Sequence, residues 1–337
     1  MNYLYKDENS IYYEVSYSND NSLLLSLDST KVLFTDARYI EEAKNEAINC
    51  DVVEAERSLV DTLVEILKSE KVKEVIFDPN EWTVADFDSL KNKIEISFVS
   101  KPNFSKEKRM VKTDKEVEFI STAARYGKAS FQRFKDYLSV KGIGKKESEL
   151  NYKLRNIIQQ KGSLELSFHP IVAFNENTSK PHATSSDKRL SNGDLILVDA
   201  GVKYKRYCSD RTETFMFQQT KFSYAKMTPK VQKIYDIVQK AHDETVAKAK
   251  IGMKASEIDK IARDIITEAG YGKNFMHSTG HGVGLDIHEF PNISERSDVV
   301  IEENMVFTIE PAIYIPNFMG TRIENMVVMK NDGAKVL

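Results

Sequence analysis

Apolar residues along this chain come in two patterns, short continuous runs and stripes at helical spacing. Short runs, SLLLSL at 22–27 and KVLFT at 31–35, are separated by Asp28, Ser29 and Thr30 and predict a β-hairpin. Glu, Ala and Lys at helical spacing over 38–48 predict a helix, with a strand after it at 51–54. Over 57–69, Leu59, Leu63, Ile66 and Leu67 make a single apolar stripe on a helix. Val72 to Phe77 then reads as a strand, Val84 to Lys91 as a short helix, and Ile94 to Val99 as another strand. Strands alternating with helices predict an α/β domain. Residues 100–113, SKPNFSKEKRMVKT, hold a proline and many charges without a period. The boundary is placed there, giving domains of 1–111 and 112–337.

The second domain reads as α+β with an internal repeat. A long amphipathic helix runs from Asp114 to about Val140, Gly142 and Gly144 break it, and a second covers about 146–160. Strand-like runs follow at 167–174, 194–201 and 212–217. From Pro229 the order starts again: a helix to about Lys250, another over about 256–269, then strand-like runs at 304–309 and 322–329. Two helices and a strand set, twice over, predict a duplication with a site between the halves.

Composition narrows the class. An apolar fraction of 41% and a charged fraction of 29% are those of a soluble protein. A net charge of −3 with dispersed basic residues leaves no footprint for nucleic acid or an anionic membrane. No run approaches the ~20 apolar residues that span a bilayer. Two cysteines, Cys50 and Cys208, make no disulfide framework, and MNYLYKDENS lacks the pattern of a signal peptide, so a cytoplasmic location is expected. Glycine is absent from the first hundred residues, which argues against a phosphate-binding loop there. That domain also holds no histidine and is assigned scaffolding, substrate access or dimerisation.

Candidate chemistry concentrates in HSTGHGVGLDIHEFP, 277–291. Of six histidines in the chain, His277, His281 and His288 fall here, alternating with Gly280, Gly282 and Gly284. Imidazole is both a proton carrier and the commonest metal ligand, and glycines let the backbone come close to something. Acidic residues also interrupt apolar strands: Asp199 after LILV, Asp210 before TETFMF, Glu310 after MVFTI, and Glu324 ahead of MVVM. Buried carboxylates cost several kcal/mol unless paired or bound to a cation. Four of them with His281 make a plausible two-metal cage.

These residues resemble the pita-bread metallopeptidases, in the Xaa-Pro aminopeptidase and prolidase branch, over the whole chain. The motifs that carry the likeness are IVAF…PHA at 171–183, GDLILVDAG…YCSDRTET at 193–214, HSTGHGVGLDIHEFP, FTIEPAIY at 307–314 and TRIEN at 321–325. LFTDARYIEEA in the first domain is similar to the family's creatinase-like N-terminal domain. The resemblance implies a pita-bread catalytic domain with pseudo-two-fold duplication. It also implies two divalent ions held by Asp199, Asp210, His281, Glu310 and Glu324, with Asp210 and Glu324 bridging. Mn²⁺ comes first by donor chemistry, with Zn²⁺, Co²⁺ and Fe²⁺ as alternatives. In that family two cations lower the pKa of a bridging water to give the attacking hydroxide. Glu310 would relay its proton, His288 would stabilise the tetrahedral intermediate and His182 would place the scissile amide. His277, Tyr314 and Arg322 resemble residues that shape a proline pocket. His169 and His242 match no functional position and read as structural.

The chain departs from the family pattern at Arg206 and Asn175, where glycine is usual, and at Glu213, where arginine is common. Many prolidases place an arginine after HExP to hold the substrate's carboxylate, and here that residue is Asn292. The expectation is therefore an Xaa-Pro aminopeptidase, cutting after the first residue of peptides with proline second. A prolidase acting on Xaa-Pro dipeptides is the alternative, and a non-catalytic binding protein a distant one. The resemblance further implies a homodimer.

Overall fold

The structure is a computed structural model that describes residues 1–219 and 226–337. Its backbone contacts divide the chain into two units, Met1–Arg109 and Met110–Leu337.

The first unit is built on one mixed sheet in the order β4-β3-β2-β1-β5-β6. Its strands are β1 (Tyr3–Tyr5), β2 (Ser22–Ser26), β3 (Lys31–Thr35), β4 (Asp51–Glu54), β5 (Glu74–Phe77) and β6 (Ser97–Ser100). The hairpin is β2 and β3, paired antiparallel with Leu24 opposite Leu33. Neither β1 nor the helix α1 (Glu8–Val15) has a counterpart among the sequence expectations. Strand alternation sends side chains to two faces. Leu23, Leu25, Val32 and Phe34 meet Leu63 and Leu67 of α3 (Leu59–Ser69) and Leu90 of α4 (Val84–Lys91). Leu24 and Leu33 meet Ile11 and Val15 of α1, Ala43 of α2 (Ile40–Glu46) and Phe104 of α5 (Phe104–Lys108). The result is helices on both faces of the sheet.

The second unit opens with α6 (Asp114–Lys141), started by a capping box between Thr113 and Glu116, and α7 (Glu147–Gln159). Next come β7 (Glu165–Leu166), β8 (Ile171–Phe174), β9 (Leu195–Asp199), β10 (Val202–Tyr204), β11 (Tyr207–Cys208) and β12 (Thr212–Met216). The helices α8 (Pro229–Lys248) and α9 (Ala255–Glu268) repeat the pattern; Thr228 caps α8 and proline fills its first turn. The chain finishes with β13 (Gly280–Gly282), β14 (Glu289–Ile293), β15 (Val306–Ile309), β16 (Ala312–Ile315), β17 (Met319–Arg322), β18 (Asn325–Lys330) and β19 (Gly333–Val336).

The two halves of this unit each set a helix pair against a sheet. Phe131, Phe134 and Leu138 of α6 and Leu150 and Leu154 of α7 bury against β8 and β9. Ile258 of α9 buries against Phe307 and Ile309 of β15 and Val327 of β18, while α8 contributes Ile234 and Val238 to a core shared with β9 and β12. The sheets are β12-β9-β8 and β14-β13-β15-β18-β19, and one bridge pairs Thr212 with Glu324 across them. This is the duplicated α+β arrangement expected. The acids sit at strand ends, however, and not within strands: Asp199 ends β9, Asp210 precedes β12, Glu310 follows β15, and Glu324 lies between β17 and β18. At a strand end a carboxylate leaves the ladder intact and still reaches the seam between sheets.

Candidate metal centre

A cavity of about 590 Å³ lies over these strand ends. Asp199, Asp210, His281, Glu310 and Glu324 all line it, as do His182, His277, His288, Arg322 and Asn292. Tyr314 does not; it is fully buried behind the wall. One ligand atom each from Asp210, His281 and Glu324 lies within 4.8 Å of the others. Glu310 joins them through His281, whose Nε2 is 3.4 Å from Glu310 Oε1 and 3.6 Å from Asp210 Oδ2.

His281 is brought here by close backbone approach. A Cβ on Gly280 would fall 1.9 Å from the Thr308 carbonyl oxygen, and one on Gly282 would fall 2.1 Å from that of Phe290. Only glycine fits on either side, so β13 lies tight between β14 and β15 with the imidazole over the acids. His281 Nδ1 is 3.0 Å from the Gly282 carbonyl, which can only accept, so Nδ1 carries the proton. Nε2 is left as a lone pair facing carboxylates, and burial holds the imidazole below its ordinary pKa, in the neutral form. A lone pair against negative oxygens is repulsive unless a cation lies between them.

The carboxylates make the same case. Burial, reinforced by Glu324, Asp199 and Glu310, pushes the Asp210 carboxyl well above its usual range. Burial and then Glu310 and Asp199 do the same to Glu324, although Thr212 Oγ donates to its Oε2 at 2.6 Å. Burial also raises Glu310, against the opposing charges of His277 and Arg322. Asp199 Oδ1 and Asp210 Oδ1 are buried and accept no hydrogen bond among the described residues. Clustered carboxylates with idle oxygens, plus one neutral imidazole, form a donor set that fits hard or borderline divalent cations.

Around this cluster the other residues take distinct positions. Arg322 donates to Asp199 Oδ2 at 2.6 Å, to Thr212 Oγ at 3.0 Å and to the Tyr314 hydroxyl. That hydroxyl lies 3.2 Å from His277 Nε2, and His277 Nδ1 lies 2.7 Å from the Ser278 carbonyl, so both nitrogens of His277 are engaged. Burial pushes the Tyr314 phenol up to about 12 and holds His277 below its usual value. His288 is exposed at the rim, its ring centroid 4.3 Å from that of His281. His182 is exposed on the rim as well. His169, read from the sequence as structural, is also exposed and lines the cavity. Its only sequence signal was its place in the strand-like run ahead of IVAF, and no pattern there marks a site. His242 is buried in α8 beside Asp243 and does not line the cavity, as a structural role requires.

The profile of Metallopeptidase family M24 matches residues 118–331, and that of the Creatinase/Prolidase N-terminal domain matches residues 3–111. The chain belongs to metallopeptidase family M24. This M24 peptidase is 40% identical over 232 residues to the Xaa-Pro dipeptidase of Pyrococcus furiosus, covering 69% of this chain and 64% of that one. Its structure superposes on the Xaa-Pro dipeptidase from Bacillus anthracis with a TM-score of 0.93 and 32% identity, covering 99% of this chain and 92% of that one. Against the X-Pro aminopeptidase from Thermotoga maritima MSB8 the TM-score is 0.89 with 31% identity, covering 99% and 94% of the two chains. The pita-bread fold and the prolidase and aminopeptidase P branch are therefore those of the chain, and it is a metallopeptidase that binds divalent cation. Among these relatives the dipeptidase names weigh toward the prolidase alternative, ahead of the aminopeptidase expectation.

Proposed function

We propose that this M24 peptidase hydrolyses the bond between an N-terminal residue and a following proline, acting as a prolidase on Xaa-Pro dipeptides. The observation that carries the reading is the cluster of Asp210, His281 and Glu324, with idle carboxylate oxygens, in a cavity roomy enough for a dipeptide. Two divalent cations, Mn²⁺ first, would be held by Asp199, Asp210, His281, Glu310 and Glu324, and when bound supply Lewis acidity that makes water nucleophilic at neutral pH.

The chain's own residues supply the rest. Glu310, its carboxyl raised by burial and steadied by Thr308 Oγ at 3.1 Å, is placed to take the proton of the attacking water and pass it to the departing amine. His288 and His182 are exposed at the rim of the cavity, on the side from which a substrate carbonyl enters; His288 donates to the developing oxyanion and His182 orients the amide. His277 has both nitrogens engaged and so offers the substrate a ring face, suited to the apolar side of proline. Arg322 acts on Asp199, fixing one oxygen and leaving the other for a cation. Tyr314 braces Arg322 and His277 from behind.

Proline gives such a pocket a purpose, because its constrained tertiary amide lacks the N–H that general peptidases grip. A second reading, the aminopeptidase acting on longer peptides, is favoured by Asn292, which stands in the cavity without a charge for a dipeptide's carboxylate. Kinetics on Ala-Pro and Ala-Pro-Ala with chelated and Mn²⁺-reconstituted protein test both. Metal-dependent cleavage that prefers Ala-Pro supports the prolidase, and preference for Ala-Pro-Ala moves the aminopeptidase ahead. We extend the proposal to a homodimer in a reducing, cytoplasmic setting, with which two free cysteines agree.

A further inference from the structure

A second cavity, of about 450 Å³, opens beside the metal cavity. The two share His169, Ile171 and His182 as a common wall. Asn151 of α7 donates to the Pro170 carbonyl, which ties that wall to the helix. The same helix presents Arg155, half-buried, to the second cavity.

Charge separates the two spaces. The metal cavity is lined by four carboxylates, and its one arginine, Arg322, is committed to Asp199. The second cavity has no carboxylate in its lining, and Arg155 is its one Arg or Lys. Arg155 takes part in no hydrogen bond or ion pair among the described residues. With cations held in the metal cavity its four carboxylates are neutralised, so the uncommitted guanidinium is the charge left across the two spaces, complementary to a peptide's terminal carboxylate. One further residue carries the carboxylate about 3.3–3.6 Å along an extended chain, out of the metal cavity and toward Arg155.

We propose that the second cavity is a subsite for the residue after proline, in which Arg155 pairs with the free carboxylate of an Xaa-Pro-Xaa tripeptide. The planar guanidinium suits a bidentate grip on that group. It supplies, one residue further out, the cation that is missing at Asn292. The inference rests on the Xaa-Pro reading above and extends it to substrate length.

The test is a cycle between the arginine and the carboxylate. The metal-loaded full chain and its Arg155→Met variant are assayed on Ala-Pro-Ala and on the same tripeptide with a C-terminal amide, with Ala-Pro run beside them. In the wild type, amidation should lower kcat/KM about tenfold, mostly through KM, as expected for losing a charge-assisted hydrogen bond at a partly exposed site. In Arg155→Met the free and amidated tripeptides should converge. If the wild type handles both tripeptides alike, or if the variant lowers both by the same factor, the inference is overturned while Ala-Pro cleavage still stands for the Xaa-Pro reading. Failure of the metal-loaded wild type on all three substrates would overturn that reading and the inference together.

Discussion

Lys112 and Glu289 form an ion pair that is almost wholly out of water, and removing one member should unsettle the loop that carries His288. Their side chains are 1% and 0% exposed, with Nζ 3.0 Å from Oε2. Oε1 of Glu289 accepts the backbone N–H of Asp286 at 3.1 Å, so this carboxylate ties the turn to the start of β14. At an effective dielectric near 20, two unit charges at that separation attract by about 5–6 kcal/mol before desolvation is counted. Lys112→Met removes an ammonium 3.0 Å from a buried carboxylate, and breaking a buried ion pair costs about 3–5 kcal/mol. Lys112→Met with Glu289→Gln removes both charges and keeps an acceptor for Asp286, so most of that loss should return. Urea unfolding followed by far-UV circular dichroism measures the four corners of this cycle, and activity should fall with the single variant because His288 adjoins Glu289. A loss below about 1 kcal/mol in Lys112→Met would mean that water or another cation compensates Glu289 and that this ion pair does not hold the loop.

Other consequences are open to direct measurement. Asp210→Ala removes a carboxylate from the centre of the cluster and should lower turnover by at least about a hundredfold even at saturating metal; appreciable activity would contradict the two-cation assignment. In the first unit burial raises the Glu14 carboxyl, but the Lys108 and Lys31 ammoniums outweigh it and hold it below its ordinary value. A depressed folded-state pKa contributes stability that is present above the unfolded value and lost as pH falls through the folded one. The urea midpoint reported by Trp82, the single tryptophan, should therefore drop on acidification below about pH 4.3 and drop less in Glu14→Gln; equal slopes would remove Glu14 from the account. Light scattering should return the mass of a dimer, and a monomer mass would sink that part of the proposal.

Much of this fold was legible in the chain because its long helices are amphipathic, α6 and α8 start on threonine caps, and the continuous apolar runs of the β2–β3 hairpin suit strands buried on both faces. What escaped has identifiable causes. The strand β13 is Gly-His-Gly, with no apolar residue to signal it, and it exists because backbone carbonyls from Thr308 and Phe290 crowd where side chains would sit. The strand at 167–174 shrinks to Ile171–Phe174, since Pro170 lacks the N–H a ladder needs. The three residues of β1 are too few to establish a period. The metal-type ligands could be singled out because acids beside apolar runs break a pattern. Arg155 could not be, because on α7 it reads as one more solvated charge of an amphipathic helix, and only the folding of Ile171 and His182 beside that helix gives it a cavity. Tyr314 was placed by resemblance among the residues that shape the pocket, and in the fold it lies buried behind the cavity wall, hydrogen-bonded with Arg322 and His277.

The measurement that bears most directly on the central claim is hydrolysis of Ala-Pro by the full chain, first stripped with chelator and then reconstituted with Mn²⁺. The stripped protein should show no cleavage, and cleavage of the Xaa-Pro bond should return on reconstitution. Cleavage that persists without metal, or its absence with metal bound on both Ala-Pro and Ala-Pro-Ala, would contradict that claim.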